Sequence, residues 1–147
     1  MLLLWQRLIL YKFNFQLYMK IYDCFQFFDE EMLLDLRLNI LDKYVDKFVI
    51  TESTYMHSGK PKKLNFNINN FLKFKDKIIY NVVDKEPSNL EVINQNDNKD
   101  IRGSKLINNS LKRENYQREM GMISLNNVFD EDLILINDID EIPNFEK

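Results

Sequence analysis

Leu133-Ile-Leu-Ile-Asn-Asp-Ile-Asp-Glu-Ile-Pro143 is the stretch whose reading decides the fold. Leu133 to Ile136 has the length and the leucine and β-branched content of a strand buried on both faces, the usual state of a strand in a parallel sheet. The run then delivers Asp138, Asp140 and Glu141 to one point and stops at Pro143. In open α/β sheets ligands bind in the crevice beyond the carboxyl ends of the strands, so these carboxylates leave the sheet at the favoured place. Carboxylates at i and i+2 suit a hard divalent cation, Mg2+ or Mn2+, that also bridges to substrate phosphates. The alternative is a solvated acidic turn. Weighing against that alternative, a buried strand ending in three unpaired charges is costly unless a cation or a basic side chain answers them.

Upstream, strands and helices alternate from Lys20 onward. Ile21 to Phe28 is rich in aromatics and predicts a strand, and Asp29-Glu30-Glu31 supplies acidic residues suited to a helix start. Met32 to Val45 is expected to be a helix with apolar positions over more than half its circumference. Lys47 to Thr51 follows as a second strand running into Glu52-Ser53, then Phe66 to Phe74 as a short helix and Lys77 to Val83 as a third strand. Glu114 to Val128 reads as a helix with Tyr116, Met120 and Ile123 along one side. The polar run Asn94-Gln-Asn-Asp-Asn-Lys-Asp100 makes Asp84 to Leu111 a long mobile loop by the same criteria. Helical segments between apolar strands imply right-handed βαβ units, hence an α/β fold with a mostly parallel sheet flanked by helices.

That topology carries positional expectations. Helices feeding parallel strands start at the carboxyl edge of the sheet, so the amino end of Glu114 to Val128 should lie near Asp138 and bring Arg113 and Gln117 to the site. A helix amino terminus beside an arginine is an anion seat. The bland alternative is a surface arginine, and Arg118, one turn further in, reads more readily that way. Glu52 leaves its strand at the same edge, either to accept hydrogen bonds from a base or ribose or to cap a turn. Arg37 falls in the middle of the apolar face of its helix, where a guanidinium must find a partner; an inward ion pair with Asp23 or Glu52 is expected, ahead of direct substrate contact.

Composition narrows the classes. With 20 Lys and Arg against 23 Asp and Glu, the net charge is −3 and the two signs are interspersed, which disfavours a nucleic-acid binder. One cysteine, Cys24, excludes an internal disulfide and a cysteine zinc cage, and one histidine, His57, leaves little material for a serine-histidine triad. Residues 1–19 form an apolar and aromatic extension, interrupted by Arg7 and Lys12 before the eighteen or so residues a spanning helix needs. An interfacial segment anchored by Trp5, Phe13, Phe15 and Tyr18 would make peripheral membrane contact, and a packed strand-like extension is the alternative.

Several segments in order carry a family resemblance: Phe28-Asp-Glu30, Leu34-Asp-Leu-Arg-Leu-Asn-Ile-Leu41, Val45-Asp-Lys-Phe-Val-Ile-Thr-Glu-Ser53, Gly59-Lys-Pro-Lys-Lys-Leu64 and Asn137-Asp-Ile-Asp-Glu-Ile-Pro143. From about Lys20 to Phe145 the chain resembles glycosyltransferase family 17. The resemblance implies a GT-A-like (Rossmann-like) fold and inverting transfer of a sugar, N-acetylglucosamine by expectation, from a UDP-sugar donor to a glycan acceptor. It implies that Asp138 and Asp140 occupy the metal-binding aspartate motif with Mn2+ or Mg2+, and that Glu52, Ser53 and Lys60 lie on family segments; with Arg113 and Gln117, placed by the topology, they are the residues expected to bind the nucleotide sugar. Family members continue well beyond the Asp-Glu-Ile-Pro segment. Residues 20–147 are therefore expected to be the amino-terminal, donor-binding half, with the catalytic base beyond Lys147. Such a protein would be Golgi-type in a eukaryote, and cytoplasmic or peripherally membrane-bound in a bacterium or virus. The rival classes are a metal-dependent phosphatase or nucleotidyltransferase, and a non-catalytic α/β remnant.

Overall fold

The computed structural model describes residues 19–125 and 128–146, so the expectations for the first eighteen residues lie outside the described part. Along the chain run β1 (Ile21–Gln26), α1 (Glu31–Leu41), β2 (Lys47–Ser53), a 3-10 segment kinked at Phe71 (Ile68–Phe74), β3 (Ile78–Val83), α2 (Lys99–Ile123) and β4 (Leu133–Ile136). Among the described residues every strand pairing is parallel and the order across the sheet is β3-β2-β1-β4. From β1 in the middle the path winds outward to β3, and α2 carries it to the far side of β1. β1 and β4 flank the point where the winding direction reverses, which in open α/β sheets is where ligands bind.

Alternation along the strands supplies both faces. Phe25, Phe48 and Ile50 pack with Leu34, Leu38 and Leu41 of α1 and with Phe71 and Phe74 of the 3-10 segment. Tyr22, Cys24 and Val49 point to the opposite face, where Leu125, Val128 and Ile134 join them. Helices therefore cover both faces of a parallel sheet, as near-continuous apolar strands require. Among the described residues no helix is long and apolar enough to cross a membrane.

Three expectations are corrected. The apolar face of α1 is narrower than its composition suggests: Leu34, Arg37, Leu38 and Leu41 are buried, while Leu36 and Ile40 are exposed and Met32 is 88% exposed. A sheet covers only one stripe of a helix, so apolar residues outside that stripe face water whatever their chemistry. Among the described residues β4 is an edge strand, with Leu133 and Ile136 exposed and Ile134 and Leu135 half-buried, because it pairs with β1 on one side.

The third correction is the largest: the region read as a mobile loop contains the first half of a 25-residue helix, and Glu114 is not a helix start. α2 begins behind Asn98, whose side chain accepts from the Ile101 amide and caps the helix. Its buried residues are Asn109, Gln117 and Gly121, so it docks through a polar and glycine stripe and offers no apolar periodicity to detect. Asn109 receives the Glu91 amide at 2.7 Å and donates to the Glu91 carbonyl at 2.9 Å. Gln117 donates to the Thr51 carbonyl at 3.0 Å, and Gly121 approaches Thr51 so closely that a Cβ there would lie 2.6 Å from Oγ1.

Candidate active site

The acidic corner is shaped by the residue between its two aspartates. Ile139 is buried in the α1-side core, so Asp138 and Asp140 on either side of it are turned outward and exposed. Arg37 completes the corner. Its Nη1 donates to the carbonyls of Asp138 (2.8 Å), Ile139 (3.0 Å) and Glu141 (3.1 Å), which draws the backbone inward and leaves the aspartate side chains free to face out. The other edge of the guanidinium forks onto Asp23, with Nε to Oδ2 at 2.9 Å and Nη2 to Oδ1 at 2.7 Å. Both side chains of this pair are fully buried, and the guanidinium lies 4.7 Å from the ring centroid of Phe25. The inward partner expected for Arg37 is therefore Asp23, not Glu52. Glu141 folds back, its Oε2 accepting from the Asp138 amide at 3.2 Å.

Beyond the ends of β1, β2 and β4 lies a cleft of about 550 Å³. Gln26, Phe27 and Phe28 line it after β1; Ser53, Tyr55, Met56, His57 and Lys62 after β2; Asp138, Ile139 and Asp140 after β4; and Glu114, Gln117 and Arg118 from the middle of α2. The crossover thus brings α2 to the cleft by its flank. The anion seat expected at a helix amino terminus is overturned, because Arg113 sits fourteen residues inside α2.

Each expected site residue now has a place. Ser53, Gln117, Asp138 and Asp140 line the cleft together. Glu52 is fully buried behind it: Oε1 accepts from Lys62 Nζ and the Asn65 amide, Oε2 from the Phe66 amide and the Tyr80 hydroxyl. Those bonds tie the segment 62–66 to the sheet, and burial, with help from Glu52, holds the Tyr80 hydroxyl protonated well above the ordinary range. Glu52 is thus a scaffold residue, with both carboxylate oxygens engaged inside the fold. Arg113 is likewise a clamp, with Nε on Glu86 at 2.7 Å and Nη1 on the His57 carbonyl at 3.2 Å. It covers Gly59, whose φ of +83° closes the turn after β2; a Cβ at that glycine would meet Arg113 Nη2 at 2.6 Å. Lys60 is exposed on that turn and outside the cleft lining.

Arg118, which reads from sequence as a surface residue, reaches the acidic corner: its Nη2 donates to Asp138 Oδ1 at 2.7 Å and to Glu114 Oε1 at 2.9 Å. The signal for it was the i,i+4 spacing of Glu114 and Arg118 on one helix face. Lys62 and Phe28, whose ring centroid is 5.0 Å from Lys62 Nζ, had no periodic signal because they follow strand ends.

The donor chemistry at the corner is two outward carboxylates on the cleft wall. Among the described residues no group of three or more His, Cys, Asp and Glu side chains is gathered to hold a metal by itself. Magnesium-type cations are commonly bound by one or two carboxylates, with substrate phosphates and water completing the shell, so Asp138 and Asp140 fit a shared cation and not a caged one.

A parallel α/β sheet with a cleft at its switch point defines a Rossmann-like domain. Residues 10–147 match Glycosyltransferase family 17, so nearly the whole chain is covered and the protein belongs to that family. Membership makes it a transferase with a sugar donor and an acceptor, and weighs against the phosphatase and nucleotidyltransferase readings. No curated protein and no solved structure matches the chain.

Proposed function

We propose that the cleft binds the diphosphate of a UDP-sugar, with Asp138 and Asp140 sharing a Mn2+ or Mg2+ ion with it, for inverting transfer of N-acetylglucosamine to a glycan acceptor. The observation that carries this reading is the acidic corner itself: Ile139 and Arg37 hold the backbone so that both carboxylates face the cleft at the switch point. A bound divalent cation would neutralise charge developing on the leaving diphosphate as the sugar-phosphate bond breaks. The chain's own contribution is positional. Asp138 and Asp140 hold negative charge at one wall, Arg118 and Lys62 stand on the other walls, and the half-exposed Phe28 ring offers a flat apolar surface to a base or sugar. Preorganised charges of this kind lower a barrier without reorganising during the reaction.

Thermal unfolding with UDP in the presence and absence of MnCl2 tests the proposal. Protection of about 2–3 kcal/mol is expected when UDP and manganese are present together at about 100 times the dissociation constant. Asp138→Asn and Asp140→Asn should each abolish the protection while melting close to wild type without ligand, since both side chains are exposed. No protection of the wild-type chain by manganese and UDP together would overturn the donor-site reading and favour a non-catalytic remnant.

A further inference from the structure

We propose that Arg118 is an exchangeable counter-ion: it neutralises Asp138 by itself, and passes to the donor diphosphate when a divalent cation takes over that carboxylate. The inference rests on the donor-site reading above and adds to it a second anion-binding residue and a reason for cation and nucleotide to bind cooperatively.

Arg37 and Arg118 reach the acidic corner while Arg113 stands over the turn after β2, and their settings differ. Arg37 is buried with its donors committed to Asp23 and three carbonyls. Arg113 is held between Glu86 and the His57 carbonyl over Gly59. Among the described residues Arg118 is joined only to two cleft-lining carboxylates, Asp138 and Glu114, with side-chain exposures of 30% for the arginine and 54% for Asp138. Ion pairs this exposed are weak and easily exchanged.

The exchange has a physical cause. Arg118 Nη2 already lies 2.7 Å from Asp138 Oδ1, so a divalent cation on the same carboxylate would bring like charges into contact. The guanidinium must yield, and Glu114, one helical turn earlier, keeps it in the cleft when it does. The helix backbone need not move, because Gln117 and Gly121 pin that turn of α2 to Thr51. A planar guanidinium released beside a diphosphate can make paired, charge-assisted bonds to its oxygens. A divalent cation and a diphosphate would therefore each favour the other's binding, and the coupling must be reciprocal.

The test measures Mn2+ binding alone, from the loss of the free-ion paramagnetic signal, and UDP binding at saturating Mn2+ by calorimetry, for wild type, Arg118→Gln and Arg118→Lys. In Arg118→Gln, affinity for manganese alone should rise about threefold or more, since an exposed competitor is gone. Affinity for UDP at saturating manganese should fall about tenfold, the size of a lost charge-assisted pair. Arg118→Lys, which keeps the charge and not the fork, should change both in the same directions and by less, and serves alone if the glutamine variant does not fold. Changes of opposite sign distinguish exchange from a structural role, which would lower both affinities. A fall in both, or no change in either, while wild type binds manganese and UDP, overturns the exchange and leaves the donor site standing. Failure of wild type to bind them overturns both.

Discussion

Replacing Arg37 by methionine should be the most damaging single change in this chain outside the apolar core. The guanidinium makes two hydrogen bonds to Asp23 and three to the carbonyls of Asp138, Ile139 and Glu141, and both it and Asp23 are 0% exposed. Removing it leaves Asp23 as a buried charge with no counter-ion, a loss of about 3–5 kcal/mol. The three carbonyls add about 1 kcal/mol each where water does not replace the donor. Against a typical domain stability of about 5–15 kcal/mol, the variant should stand near its unfolding limit and melt about 15–25 °C lower. The informative partner is the double variant Arg37→Met with Asp23→Leu. Replacing a buried pair by apolar residues of similar size is often neutral, so the double variant should recover at least half of the lost stability, a coupling of about 2 kcal/mol or more. It should not recover binding of UDP with manganese, because nothing then draws the carbonyls of the acidic corner inward. Urea denaturation and UDP calorimetry read the two effects separately. A single variant within about 1 kcal/mol of wild type, or a double variant no more stable than the single, would refute this account of the pair.

The two helical glycines of α2 should respond oppositely to alanine. Gly103→Ala should stabilise by about 0.5–1 kcal/mol in urea melts, since its Cβ would meet nothing within 4 Å, whereas Gly121→Ala should destabilise by about 1–3 kcal/mol because its Cβ would strike Thr51 Oγ1. Acid should loosen the start of β4. Hydrogen bonds from the Phe129 and Lys20 amides hold Asp132 below the ordinary carboxylate range, so its contribution is present above about pH 4 and is lost as pH falls through the lower folded value. Amide exchange at Lys20 should rise accordingly below pH 4, and constant protection would refute the link. At the alkaline end, burial and then the Asp23 charge push the Cys24 thiol up to about 12. A raised folded value means stability is complete below the unfolded thiol value and falls as pH climbs from about 9 toward 12. Cys24 should therefore resist alkylation at pH 8 until the protein unfolds, and rapid native-state labelling would show that the site is open.

How much was legible from the chain depends on whether a residue's partner is close in sequence or its burial is periodic. The apolar runs of β1 to β4 and the parallel α/β class followed from local pattern, because strands in such sheets are apolar throughout. The inward ion pair of Arg37 was legible for the same reason: a charge centred on an apolar helix face has to be answered. α2 defeated the same method over its first half, since Asn109, Gln117 and Gly121 dock by hydrogen bonds and close approach and leave no apolar period. Misplacing the start of α2 carried Arg113 to a helix end that does not exist and left Arg118 on the surface.

Taken alone, the chain determined its strands, its class and the acidic corner, because alternation and burial are written into neighbouring residues. Tertiary structure decided which side chains meet there. Arg37 gathers Asp23, 14 residues away, with carbonyls 101 to 104 residues away, and Arg118 reaches across 20 residues to Asp138. Those meetings follow from the crossover of α2 that seats β4 beside β1, and contacts made by chain reversal leave no trace in local periodicity.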